Sequence, residues 1–141
     1  SHAILSDSSV IYHGKSYGLV YICEKYPECD SYVGVHKGTK IPLGRMANKE
    51  LREWKKKAHA SFDPMWKMQG MPRRRAYNVM MTLMDMAADE AHIAKFDVHE
   101  CKRLILMVSY FYTWVMDAGL RLDQLTSATA KDLIQARRSD V

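Results

Sequence analysis

Cysteine is scarce in this chain and odd in number, three among 141 residues. An odd count with no apolar leader segment argues against a secreted disulfide scaffold and for a reducing cytosol, where thiols stay reduced or bind metal. Long hydrophobic runs are missing too. The most apolar stretch, LILMVSYFYTWVM at 104–116, stops at Asp117, short of the roughly 20 residues a membrane-spanning helix requires. It reads as a core helix. There is no glycine-rich phosphate loop, no nucleophile elbow and no helix carrying the paired histidines of zinc proteases. Catalysis is therefore the weaker reading. Internal repeats and low-complexity segments are also absent.

Charge is present and unevenly spread. The net charge is +5, but residues 37–75 hold twelve Lys or Arg against three Asp or Glu. That is a local excess of nine, which leaves the remainder at −4. Segregation of this kind predicts a basic surface for phosphates or an acidic protein, through a field that salt weakens. The bland alternative is a merely solvated helix face.

The first third has strand character. VIYH (10–13), GLVYIC (18–23) and SYVGVH (31–36) are β-branched or aromatic runs separated by turn sequences, which predicts a small antiparallel meander. Gly14 supplies one turn, and CEKYPEC joins the second and third strands. Three short strands need metal or packed helices for stability. After the loop KGTKIPLGRM, Asn48 caps a helix in which Leu51, Trp54, Ala58 and Phe62 recur at helical spacing while Lys49, Arg52 and Lys56 point away. Asp63-Pro64 is a break, followed by a connector holding Trp66. A second helix starts at Pro72 and runs through RRRAYNVMMTLMDMAADEA, with Ala76, Tyr77, Met80, Leu83, Met84 and Ala87 on one face. Asp97 and Glu100 form a capping box for the longest helix, whose apolar residues nearly encircle it and which Gly119 stops. A last helix at 127–137 offers Leu133 and Ile134. The fold class is α+β: a three-stranded antiparallel zinc-ribbon-like meander (1–46) packed as one unit on a bundle of about four helices (47–141).

Cys23 and Cys29 enclose a Tyr-Pro-Glu knuckle between strand-like segments. This resembles one arm of a topoisomerase-type zinc ribbon, yet no second arm lies in the chain, and Cys101 falls in a helix. The segments DSSVIYHGKSYGLVYIC, CDSYVGVHKGTKIPLGRMANKELREWKKKAHASFDPMW, RRRAYN and HIAKFDVHECKRLI resemble the zinc-finger-containing domain family carried by bacteria, prophages and phages. The resemblance spans about residues 7–105 and implies a phage-related protein of the bacterial host cytoplasm. It also implies a Cys-x-x-Cys pair just upstream of Ser1, so that Cys23 and Cys29 are zinc ligands of the longer protein; the alternative is a protein that begins here and has lost zinc, its meander dependent on helix packing. Zinc is then absent or weakly held by this chain alone, because a closed structural site takes about four ligands. His2, His13 and His36 are substitute donors if the fold gathers them.

Three functional readings follow. For nucleic acid, Lys37, Lys40, Arg45, Lys49, Arg52, Lys55, Lys56, Lys57, Arg73, Arg74 and Arg75 line a basic face, with Tyr26 or Tyr32 to stack on bases. Binding without a recognition helix is phosphate-led and poorly sequence-specific. For protein, the ten methionines exceed one buried stripe. Met65, Met68, Met71, Met80, Met81, Met84 and Met86 make an adaptable surface for blocking a host or defence component, or for self-association, although core filling is the commoner use. For hydrolysis, His59 and Asp63 stand four apart with His36 as a third member, a metal or acid-base trio if geometry allows. The leading expectation is a non-enzymatic, phage-associated nucleic-acid-binding protein. The protein-binding effector comes second and a metal-dependent hydrolase or nuclease third.

Overall fold

The computed structural model describes residues 2–140. It holds a three-stranded antiparallel sheet, helices of 14, 12, 20 and 11 residues and a single-turn helix, an α+β fold. By their internal contacts the residues divide into two compact units, Ser1–Glu53 and Trp54–Val141.

In the first unit the strands are β1 (Ala3–Asp7), β2 (Leu19–Cys23) and β3 (Tyr32–Gly34), in that order across the sheet. Leu5 pairs with Tyr21, Ile22 with Ile4 and Tyr32, and Val20 with Ser6 and Gly34. Alternation along β2 puts Val20 and Ile22 on one face, and both are buried. The meander is as expected, but its first strand is not at 10–13. Asp7 accepts from the Ser9 amide at 2.8 Å and the Ser16 hydroxyl at 2.9 Å, closing Ser8–Val10 into a 3-10 turn. Buried Ser8 then accepts from the Tyr17 amide at 2.6 Å and donates its own amide to Gly18. A short polar side chain has captured the backbone before a ladder forms. His13 and Gly14, at φ 53° and 92°, turn the chain back.

KGTKIPLGRM is more than a loop. It doubles back on β3, with Leu43 donating to Gly34 and Ala47 exchanging amide bonds with Tyr32. This covers the edge of β3 that would otherwise stay open. The Asn48 side chain then accepts from the Leu51 amide at 2.9 Å, capping α1 (Lys49–Phe62).

α1 runs on into the second unit, where Ala58 and Phe62 are buried. The expected break at Asp63-Pro64 is softer than proline alone dictates. Asp63 stays helical at φ −60°, ψ −33°, and Pro64 opens the single turn α2 (Pro64–Lys67), where a missing amide proton costs nothing. Next, α3 (Arg73–Met84) ends before the predicted stretch does. Asp85 takes the left-handed conformation at φ 55°, its amide closing on Met81 and Thr82, so Ala87 is exposed rather than on the apolar face.

α4 (Val98–Asp117) carries the predicted capping box: Glu100 N–H donates to Asp97 at 2.8 Å, and Asp97 N–H to Glu100 at 3.0 Å. Its apolar residues do not encircle it. Leu106 and Met116 lie in an exposed stripe with Lys102, Ser109 and Thr113. Gly119 ends the helix at φ 68°, and Leu120 N–H reaches back to Val115. α5 (Ser127–Arg137) is capped by Thr126, buries Ile134 and leaves Leu133 half-buried.

α3 and α5 run parallel. Arg75, near the start of α3, donates to Leu125 O, and Asn78 to Ser127 Oγ, while Arg138 beyond α5 reaches the Thr82 and Leu83 carbonyls at the other end. Together with α4 they enclose Met80, Leu83, Leu104, Phe111 and Ile134. Each such side chain contributes about 1.5–3 kcal/mol by leaving water. No helix among the described residues is long and apolar enough to cross a membrane.

Candidate nucleic-acid interface

The predicted basic residues fall into two sets. In the first unit, Lys37 and Lys40 occupy an exposed turn held by Thr39, whose hydroxyl donates to His36 O at 2.8 Å. Arg45 and Lys49 are exposed as well. Arg52 is committed to the fold. Its guanidinium donates to the carbonyls of Asp30 at 2.9 Å and Ala47 at 2.6 Å, pairs with the Asp30 carboxylate at 3.4 Å, and lies 4.2 Å from the Tyr32 ring centre. Asp30 also accepts from the Lys49 amide at 3.2 Å, a carboxylate at a helix start.

Tyr32 therefore offers Arg52 the face that was expected to stack on a base, and Tyr26 is half-buried. The exposed aromatics of this unit are Tyr12 and Tyr17, edge to face at 5.0 Å, with Lys15 Nζ 5.4 Å from the Tyr17 ring. Burial, followed by the neighbouring Tyr32, pushes the Tyr12 phenol above its ordinary range. Sequence reading missed this pair because YHGKSY was divided between a strand and a turn; two tyrosines flanking Gly-Lys were the available signal.

In the second unit, Lys55 donates to Ala94 O at 2.7 Å. Lys57 and Lys102 both sit over Trp54, at 4.3 and 4.9 Å. Lys56 is exposed on the same helix. Of the three successive arginines, Arg75 is spent on Leu125 O at 2.8 Å. Arg73 and Arg74 remain exposed, and among the described residues no carboxylate pairs with either. Arg73 lies 5.2 Å from the Trp66 ring and 5.0 Å from the Tyr77 ring. The first turn of α3 carries no acid, so two cations oppose the helix macrodipole without local compensation.

His59 and Asp63 do meet: Nδ1 lies 3.2 Å from Oδ2, and Lys67 Nζ is 3.8 Å from the same oxygen. A carboxylate engaged by a lysine and an imidazole along one face is an ordinary i, i+4 arrangement. His36 belongs to the other unit. The methionines divide as well. Met65, Met71, Met80 and Met84 are buried, Met81 and Met86 are half-buried, and Met68 and Met116 are 76% and 77% exposed.

The cysteine knuckle is well formed. Cys23 N–H donates to Ser31 O, Tyr26 N–H to Cys23 O, and Cys29 N–H to Lys25 O. Cys23 is buried, Cys29 is half-buried and neither forms a disulfide. Among the described residues, however, no three His, Cys, Asp or Glu side chains come together as a metal site, and His2, His13 and His36 are not gathered around the thiols. Two thiolates do not fit a closed zinc site, which takes four ligands.

No curated protein and no solved structure shows a significant match to the chain. A comparison with protein families matches residues 1–110 to a zinc-finger-containing domain. With most of its length matched, the chain belongs to the zinc-finger-containing domain family.

Proposed function

We propose that this protein is a non-enzymatic, phage-associated nucleic-acid binder of low sequence specificity, working in the cytoplasm of a bacterial host. One observation carries the reading: Arg73 and Arg74 are exposed, have no carboxylate partner among the described residues, and stand in a helix turn whose dipole disfavours them. Phosphates would supply the missing countercharge. Lys56 and Lys57 add positive charge to the same unit, and the first unit carries its own in exposed Lys37, Lys40, Arg45 and Lys49. Fluorescence anisotropy with single- and double-stranded DNA and RNA across a salt series tests it. Affinity should fall steeply with salt, with a log–log slope of about −0.7 per phosphate contacted on a single strand. Arg73→Glu combined with Arg74→Glu should remove most of the binding. Absence of affinity at low salt overturns the reading.

Zinc belongs to the same proposal, in a longer protein. β1 begins beside the knuckle: Ala3 pairs with Cys23, and Glu24 N–H donates to His2 O at 2.9 Å. A cysteine pair preceding Ser1 would thus enter close to Cys23 and Cys29. Metal analysis of a protein extended upstream should find one zinc that Cys29→Ser releases; a zinc-free extended protein sinks the idea.

A second reading, contact with a host protein, is favoured by exposed Met68, Met116 and Leu120 around a hollow of about 520 Å³. Wild-type protein should then recover a stoichiometric partner from bacterial lysate that Met68→Lys with Met116→Lys loses. Recovery of none counts against it.

A further inference from the structure

The second unit contains a cavity of about 420 Å³ at the start of α3, inside the roughly 300–1,000 Å³ range of small-molecule sites. Its lining is chemically divided. Exposed Arg73 and Arg74 stand at the mouth, and buried Ala91 lies at the floor. Tyr77 and His92 form an aromatic wall, their ring centres 6.0 Å apart and tilted by 42°. Half-buried Met81 adds a polarizable thioether, and Ala88 and Ala91 add methyls.

Each part selects for a different piece of a ligand. An apolar slot with aromatic and thioether sides suits a flat ring, since every base has a π-face and stacking is sequence-tolerant. Two guanidiniums at the mouth suit a dianion, because guanidinium donors pair with phosphate oxygens; Arg73 Nη2 also donates to the Tyr77 hydroxyl at 3.4 Å. Asn78 also faces the cavity. Its Nδ2 already donates to Ser127 Oγ at 3.2 Å, which leaves its other amide hydrogen and its carbonyl for a base edge. A simple acidic peptide would leave the apolar slot unfilled, and a neutral aromatic molecule would leave the arginines unanswered.

We infer that this cavity is a mononucleotide pocket, in which a base enters the slot between Tyr77, His92 and Met81 while a phosphomonoester sits on Arg73 and Arg74. The inference rests on the nucleic-acid reading and sharpens it: a phosphomonoester carries close to two charges, so the preferred unit is the 5′-phosphorylated end of a strand rather than an internal phosphodiester with one. A free nucleoside monophosphate has the same chemistry, and the two sources are told apart by experiment.

Titration calorimetry with this 141-residue chain should compare a 5′-phosphorylated oligothymidine ten-mer, its 5′-hydroxyl counterpart, and free dTMP and AMP. Exposed Ala88, on the cavity wall, provides a variant that fills the slot without touching the charge: Ala88→Phe. The 5′-phosphorylated strand should bind at least ten-fold tighter than the 5′-hydroxyl strand, and Ala88→Phe should erase that difference. A circular dichroism melt of the variant, unchanged from wild type, excludes misfolding; should it shift, Ala88→Leu replaces it. Strand binding that ignores both the end phosphate and the slot-filling variant overturns the pocket but leaves the nucleic-acid reading standing. Free nucleotides binding in an Ala88-sensitive way with no strand bound uphold the pocket and overturn the strand reading. Binding of neither overturns both.

Discussion

Arg75 Nη1 donates to the main-chain oxygen of Leu125 at 2.8 Å, across fifty residues of sequence. Among three adjacent arginines this one is a tie between the start of α3 and the segment leading into α5, whereas its neighbours project outward. Arg75→Ala should therefore destabilise the protein by about 1.5–3 kcal/mol, the range for a hydrogen bond to a charged donor, as read by urea denaturation. Its salt slope for DNA should match wild type. A changed slope with unchanged stability would reverse the assignment.

Cys101 is fully buried, and burial pushes its thiol from 9.0 up to about 11, with Lys55 opposing and Asp97 and Glu100 adding to the rise. The neutral thiol should be inert to Ellman's reagent at pH 8 in the native protein, while half-buried Cys29 reacts. The sign of the pH dependence follows. Above about pH 9 an unfolded thiol ionises while the folded one keeps its proton, so stability from this group is intact below 9 and declines toward 11. Denaturation curves between pH 8 and 11 should flatten in Cys101→Ala relative to wild type.

Gly70 has φ +80°, and a Cβ built there would lie 3.2 Å from Asp123 Cβ. Gly119 has φ +68° and open space around the same position. Gly70→Ala should therefore cost more than Gly119→Ala, since the latter bears only the left-handed penalty of about 1 kcal/mol. Thermal melts of the pair, compared side by side, check the order; equal losses would show that Asp123 yields freely.

Much of this architecture could be read along the chain because the signals were local. Asn48, Asp97 with Glu100, Gly119 and the last helix each depend on groups within a few residues of one another, and each is where the pattern placed it. VIYH forms no strand for an equally local reason: Asp7 holds the Ser9 amide, and the Ile11 and Tyr12 amides turn back onto Ser8 O. MDMAADEA continues an apolar rhythm through Asp85, yet the backbone turns left-handed there and ends α3.

The site was less legible. Eleven basic residues had one role on paper, but Arg52, Lys55 and Arg75 are drawn to carbonyls or a carboxylate of the fold. Sequence spacing carries no information about which backbone oxygen will lie within reach of a long flexible side chain. The Tyr12–Tyr17 pair and the cavity behind Arg73 escaped for the same reason.

Residue order already dictates that a small antiparallel sheet joins helices, that positive charge is concentrated between residues 37 and 75, and that two neighbouring cysteines flank a tight knuckle. Those properties are set by composition and by interactions a few residues long. Long-range packing sets the rest: α3 and α5 lie parallel, Arg75 serves the fold while Arg73 and Arg74 face outward, and Tyr77, Met81 and His92 share one cavity. Such outcomes depend on which distant groups satisfy each other's hydrogen bonds once water is excluded, a competition settled only in three dimensions.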